Sequence, residues 1–192
     1  MRDHRSLAFG IVTAIILVSY LLALPDAAAQ EKGPLLSPAP CCGLSLDQLL
    51  HMSKPDLEDL YCHGCPGPIP DGPTCGKAIR WAGTRWCVPN ANATGCLWKG
   101  KLFNGCDGTM LNRWCCGIKA VPARVYCGES WLDSKPAIIM DYRGVSSLVW
   151  KNVRDELREV APGLYLGVMF KDKCPEPKFQ MFFALEMQAK CE

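Results

Sequence analysis

Histidine is nearly missing from this sequence. There are three among 192 residues, and only His51 and His63 lie beyond residue 30. A Ser-His-Asp or Cys-His site needs a histidine base. His51 falls near the end of a short predicted helix and His63 between Cys62 and Cys65, so neither is presented to a pocket by a sheet. No G-x-S-x-G elbow occurs, and no phosphate-cradling glycine loop. Charge of one sign is lacking too. With 21 Lys and Arg against 19 Asp and Glu, the net charge is +2. That excludes the basic footprint of a dedicated nucleic-acid binder. Disorder over the whole length is excluded, because 49% of the residues are hydrophobic and supply the apolar surface that offsets chain entropy.

Only one apolar run approaches the length of a membrane span. Arg2 and Arg5 precede Leu7–Leu24, and Pro25, Asp26 and Ala27-Ala28-Ala29 follow. A basic start, an apolar middle and an A-x-A end form a secretory signal. Cleavage after Ala29 leaves 163 of the 192 residues, with Gln30 first. The expected location is therefore secreted or periplasmic, with membrane contact only through residues 1–29. Residues 30–43, rich in proline and glycine, read as a flexible lead-in. Residues 44–192 read as one domain.

Thirteen cysteines follow the leader. In an exported chain bridges are the default, so a disulfide-stapled domain with at least four bridges is expected. The odd count leaves one cysteine over. Cys62-His63-Gly64-Cys65 reads as structural rather than as half of a zinc site or a redox dithiol. No second C-x-x-C exists, and Pro66-Gly67-Pro68 replaces the helix that a redox motif needs. No metal and no cofactor are expected. From Cys65 to Cys115 the intervals are 10, 12, 9, 10 and 9 residues, a spacing at which hairpin-connected strands recur.

Ser45-Leu46-Asp47-Gln48 has the form of a capping box, and Ser53 with Pro55 opens a second short helix. From residue 77 the pattern becomes short alternating or apolar runs: 77–81, 84–88, 97–103, 110–118, 120–127, 136–142, 164–170 and 179–187. Asn90–Gly95 reads as a turn carrying an Asn92-Ala93-Thr94 glycosylation sequon. Seven or eight strands separated by Gly, Pro, Asn and Asp predict a mainly β fold, a strongly bent antiparallel sheet or barrel. One segment reads differently. Val149, Val153, Leu157 and Val160 share a face at a period of 3.6. With Ser146 or Ser147 at its start and Pro162-Gly163 at its end, this predicts an inserted amphipathic helix over 146–160.

Trp98-Lys99-Gly100-Lys101-Leu102-Phe103 has the form W-x-G-K-x-F, and Arg154–Gly167 the form R-D-E-x-R-E-V-x-P-G-x-Y-L-G. With Tyr126–Pro136 and Asp141-Tyr142, these elements resemble a group of uncharacterised bacterial proteins over most of 44–186. At fold level that group is similar to calycin-like small β-barrels, which often hold apolar ligands. The G-x-W of calycin-like families is replaced here by Gly95 three residues before Trp98. The resemblance implies a barrel and no particular activity.

On the predicted helix Arg154 and Arg158 share a face and suit a carboxylate or phosphate headgroup. Asp141, ending an apolar strand, is placed to orient an arginine or to act as a base. Trp131, Tyr142 and Tyr165 are the candidate wall residues, since aromatic side chains line cavities as well as cores. A barrel of eight strands holds one small ligand. The expected function is thus non-enzymatic binding of a small apolar or amphipathic ligand at Arg154, Arg158, Asp141, Tyr142, Tyr165 and Trp131. The alternatives are a hydrolase or isomerase using Asp141 with Asp155 or Glu156, and an interaction protein with no pocket.

Overall fold

The computed structural model describes residues 43–147 and 149–187. The leader, all of the lead-in but Gly43, and Cys41, Cys42 and Cys191 lie outside the described residues. The expected β architecture is present. Eight antiparallel strands run up and down in chain order and close into a barrel. They are β1 (Gly72–Ile79), β2 (Trp98–Asn104), β3 (Thr109–Trp114), β4 (Lys119–Glu129), β5 (Pro136–Asp141), β6 (Val153–Ala161), β7 (Leu164–Lys171) and β8 (Lys178–Met187). Closure comes from β1 against β8, with Thr74 opposite Met187 and Ile79 opposite Phe182. Closing removes the exposed edges that an open sheet would carry.

Among the described residues three short α-helices lie outside the barrel: α1 (Leu46–His51), α2 (Lys54–His63) and α3 (Cys87–Gly95). The first two begin where the sequence places them. Ser45 with Gln48, and Ser53 with Asp56, form reciprocal capping boxes, and Pro55 sits in the first turn of α2. Each helix is too short to persist alone. Leu49, Leu50, Leu57, Tyr61 and Ala91 bury against outward residues of the last three strands, including Val160, Leu164, Leu166, Val168, Phe182 and Ala184. Strand β7 is therefore buried on both faces along nearly its whole length, which is why Leu164–Phe170 reads as an unbroken apolar run.

Three expectations are corrected. The inserted helix over 146–160 does not form. Residues 153–161 are β6, paired with β5 and β7. Val153 and Leu157 are four apart, a spacing shared by helix and strand. On a strand Val153, Asp155 and Leu157 face inward, while Arg154, Glu156 and Arg158 face outward. Residues 87–95, read as strand end and turn, form α3. There Thr94 Oγ1 donates to Asn90 O at 2.8 Å, so the sequon lies in a helix. The disulfide framework is the third. Cys62, Cys65, Cys96, Cys106, Cys115, Cys116, Cys127 and Cys174 carry free thiols. With those eight uncrosslinked, the thirteen-cysteine chain cannot hold the four bridges expected. The regular intervals follow the hairpin repeat but not the cross-strand register. The β5 neighbour of Cys127 is Ile138, and the β8 neighbour of Cys75 is Glu186.

Candidate functional site

One of the buried polar clusters lies in the lumen. Its wall is mostly apolar, with Trp98, Phe103, Met110, Trp114, Val125, Met140, Leu157, Met169, Met181 and Phe183 in one core. In it sits a buried ion pair, Lys101 Nζ to Asp155 Oδ2 at 2.8 Å, with side-chain exposures of 2% and 7%.

The backbone explains how a lysine in a W-x-G-K run points inward. Plain alternation would put Trp98 and Lys101 on opposite faces. Trp98 pairs with Trp114 and Lys101 with Asn112, and the register slips between Trp98 and Gly100. That bulge turns Lys101 onto the face of Trp98. Gly100 has φ +124°, and a Cβ there would collide with the Thr74 carbonyl and lie 2.8 Å from Gly76 N. Glycine is required by both conformation and space. Thr74 Oγ1 then bridges the strands, donating to Lys101 O at 2.9 Å and accepting from Lys101 N at 3.0 Å.

Every proton of the Lys101 ammonium has an acceptor. It donates to Tyr142 Oη at 2.7 Å, Asp155 Oδ2 at 2.8 Å and Asn112 Oδ1 at 3.2 Å. Rings of Trp98, Tyr142 and Phe183 stand 5.3–5.8 Å from the nitrogen, a cation–π surround. Tyr142 Oη donates to Asp155 Oδ2 at 2.8 Å. Asn112 Oδ1 also accepts from Trp98 Nε1 at 3.1 Å, and Asn112 Nδ2 donates to Val121 O at 3.0 Å. Val121 adopts φ +61°, next to the slip in the β3–β4 register. A β-branched residue in that region is strained, and such strain clusters at functional sites. Burial lowers the Lys101 pKa, with the Asp155 charge opposing. Burial, then the Asp155 charge, pushes the Tyr142 hydroxyl well above its ordinary value.

Beside this cluster is a cavity of about 30 Å³, lined by Trp98, Lys101, Asn112, Trp114, Tyr142, Trp150, Asp155, Met169, Met181 and Phe183. Strand directions place it at the end of the barrel where β2, β6 and β8 begin and β3, β5 and β7 finish. Trp150, from the β5–β6 connection, lies over it, its ring 5.8 Å from that of Tyr142.

Of the residues expected from sequence, Tyr142 joins this cluster and Tyr165 faces the same lumen core. The other four lie outside the barrel wall. Asp141 is held by Arg143, whose Nε and Nη2 donate to it at 2.8–3.1 Å. Arg154 stacks on Trp131, 4.3 Å from the ring, and donates to Glu156 Oε1 and to the Glu129 carbonyl. Arg158 is fully buried, gripped in two-pronged fashion by Asp133 at 2.7 Å, with carbonyls of Tyr61, Lys135 and Pro136 taking its other protons. Arg158 holds Asp133 well below the usual carboxylate range, at about 2. The two arginines are therefore occupied by protein groups. Asp141 faces away from the luminal Asp155, so that carboxylate pair is not assembled, while Glu156, on the outer face with Asp141, is taken up by Arg154, Ser130 and Trp131 N.

Lys101, Asn112, Trp98 and Trp114 were not singled out by sequence reasoning. The available signal is the W-x-G-K run itself, whose Gly100 allows the bulge, with Gly76 of β1 leaving room for Gly100 and the Trp98 ring. Among the described residues no group of three His, Cys, Asp or Glu side chains is placed to hold a metal ion.

No protein-family profile matches the sequence, and no curated protein matches it. Among solved structures, a protein from Thermomonospora curvata is similar, with 19% identity and a TM-score of 0.48. The match covers 72% of this chain and 90% of that one.

Proposed function

We propose that the protein is an exported, non-enzymatic binding barrel that takes a small amphipathic molecule into the lumen end capped by Trp150. The observation that carries this reading is a buried, hydrogen-bonded ion pair beside a cavity in a mostly apolar lumen. Desolvating two charges costs several kcal/mol per ion, and a purely apolar filling of the same volume is often equally stable or more so. A polar floor in such a place suits recognition better than stability. A pocket with apolar walls and few convergent polar groups is also the usual form of a small-molecule site. The volume of about 30 Å³ admits a polar group and a carbon or two. Met169 and Met181 give the adaptable walls that a longer chain would displace.

The test is thermal unfolding of the mature protein against straight-chain amphiphiles of four to eight carbons with varied head groups. A ligand at 100 times its Kd adds about 2.7 kcal/mol to stability, which is read as a raised midpoint. A flat response across the panel refutes the reading. The export component is tested by the intact mass of the protein recovered outside the cytoplasm, expected to start at Gln30.

A further inference from the structure

Two polar atoms among the cavity-lining residues are buried without a hydrogen-bond partner: Asp155 Oδ1 and Trp114 Nε1. The rest of the cluster is saturated. Asp155 Oδ2 accepts from both Lys101 and Tyr142, and Asn112 Oδ1 accepts from Trp98 and Lys101. Leaving a buried donor or acceptor unmade costs about 1–3 kcal/mol, so two such atoms on residues that line one small cavity form a demand that the protein itself does not meet. The demand is also directional. A carboxylate oxygen only accepts and an indole N–H only donates. Whatever satisfies both must donate to one and accept from the other.

We infer that the lumen selects a neutral hydroxyl head group, which donates its proton to Asp155 Oδ1 and accepts from Trp114 Nε1. This rests on the binding-barrel reading above and names its ligand class as a small aliphatic alcohol. Charge points the same way. Lys101 and Asp155 are the charged residues among those lining the cavity, and they neutralise each other at 2.8 Å. A carboxylate head would bring a second negative charge to Asp155 Oδ1. An alkylammonium head could satisfy Asp155 but accepts nothing from Trp114, and it adds a second positive charge near Lys101. A bare alkyl end satisfies neither atom. Water has the same donor–acceptor character as the hydroxyl and is the natural competitor. The alcohol is favoured over it by the apolar contact its carbons make with Trp150, Met169, Met181 and Phe183.

The experiment is isothermal titration of the mature, full-length protein at pH 7 with 1-hexanol, hexanoate and hexylammonium. The expected result is that hexanol binds at least tenfold tighter than either ion. Trp114→Phe, which keeps most of the ring and loses the N–H, should weaken hexanol about tenfold while leaving the ions unchanged. The head-group comparison on the wild type needs no variant, so a folding defect in Trp114→Phe does not blunt the test. Equal or tighter binding of either ion overturns the hydroxyl assignment and leaves the lumen reading standing. Hexanol affinity indifferent to a well-folded Trp114→Phe also overturns the assignment. No binding by any of the three overturns both and leaves the cavity to water.

Discussion

Replacing Lys101 with methionine tests whether the luminal ion pair acts as a unit. Methionine keeps most of the stem volume and removes the ammonium. Asp155 then remains as a buried carboxylate with Tyr142 as its one neighbour donor at 2.8 Å, while Asn112 Oδ1 keeps Trp98. Breaking a buried pair by removing one partner costs about 3–5 kcal/mol, because the other charge is stranded. The double variant Lys101→Met with Asp155→Leu strands nothing. Tyr142 and Asn112 already stand 3.3 Å apart and can hold each other. Its expected cost is at most about 1–2 kcal/mol: four hydrogen bonds go, but both desolvated charges go with them, and replacing a buried pair by apolar groups is often close to neutral. The double variant should therefore be more stable than the single one, a coupling of at least about 1 kcal/mol beyond additivity. Urea unfolding followed by far-UV circular dichroism measures this, provided the slopes agree. A Lys101→Met midpoint within about 0.5 kcal/mol of wild type, or strict additivity in the cycle, would refute the reasoning.

Asp133 carries the acid sensitivity of the α2 contact. Its pKa is lowered from 3.8 to about 2 by Arg158, so its contribution is complete above pH 4 and is lost as pH falls toward 2. That amounts to about 1–2 kcal/mol after allowance for screening, and Asp133→Asn should flatten this part of the acid limb in urea midpoints between pH 5 and 2. Leu157→Ala and Glu156→Ala should both destabilise strongly in the same assay, by about 2–5 kcal/mol for the cavity and about 3 kcal/mol for the stranded Arg154 partner. Both residues are fully buried, and Glu156 also receives Ser130 Oγ and Trp131 N; a near-neutral Glu156→Ala would show its carboxylate to be at the surface.

Strand β6 shows what was legible in the sequence and why the site was not. The β character, most strand breaks and the two capped helices depend on local chemistry: Gly, Pro and Asn breaks, and Ser at the caps. Those are readable, although the run 84–88 is turn and helix start rather than strand and 153–161 supplies the strand in its stead. In β6 the polar residues Asp155, Glu156 and Arg158 are all buried, each bound to a partner far away in the chain: Lys101, Ser130 and Asp133. Polarity therefore ceased to mark the outer face. The remaining apolar positions, 149, 153, 157 and 160, then fit a helix. Lys101 was hidden for a related reason. A one-residue bulge reverses the alternation on which inside and outside are judged, and nothing in a strand's own sequence announces its register with a neighbour. Tyr142 was found because an aromatic residue following an apolar strand needs no register to be suspected of facing inward.

Strand β1 is joined along residues 74–79 to β8, while its pairing with β2 is confined to Gly72 and Pro73. The first strand to leave the ribosome thus waits for the last. Until β8 emerges, the chain can form at most a seven-stranded open sheet. One margin is β1 with its ladder groups unsatisfied, and the other is β7, apolar on both faces. Such margins recruit other chains. A message truncated within β8 would not yield a slightly shortened barrel but a sheet with two adhesive borders. The few residues between Phe182 and Met187 therefore separate a closed barrel from an aggregation-prone fragment.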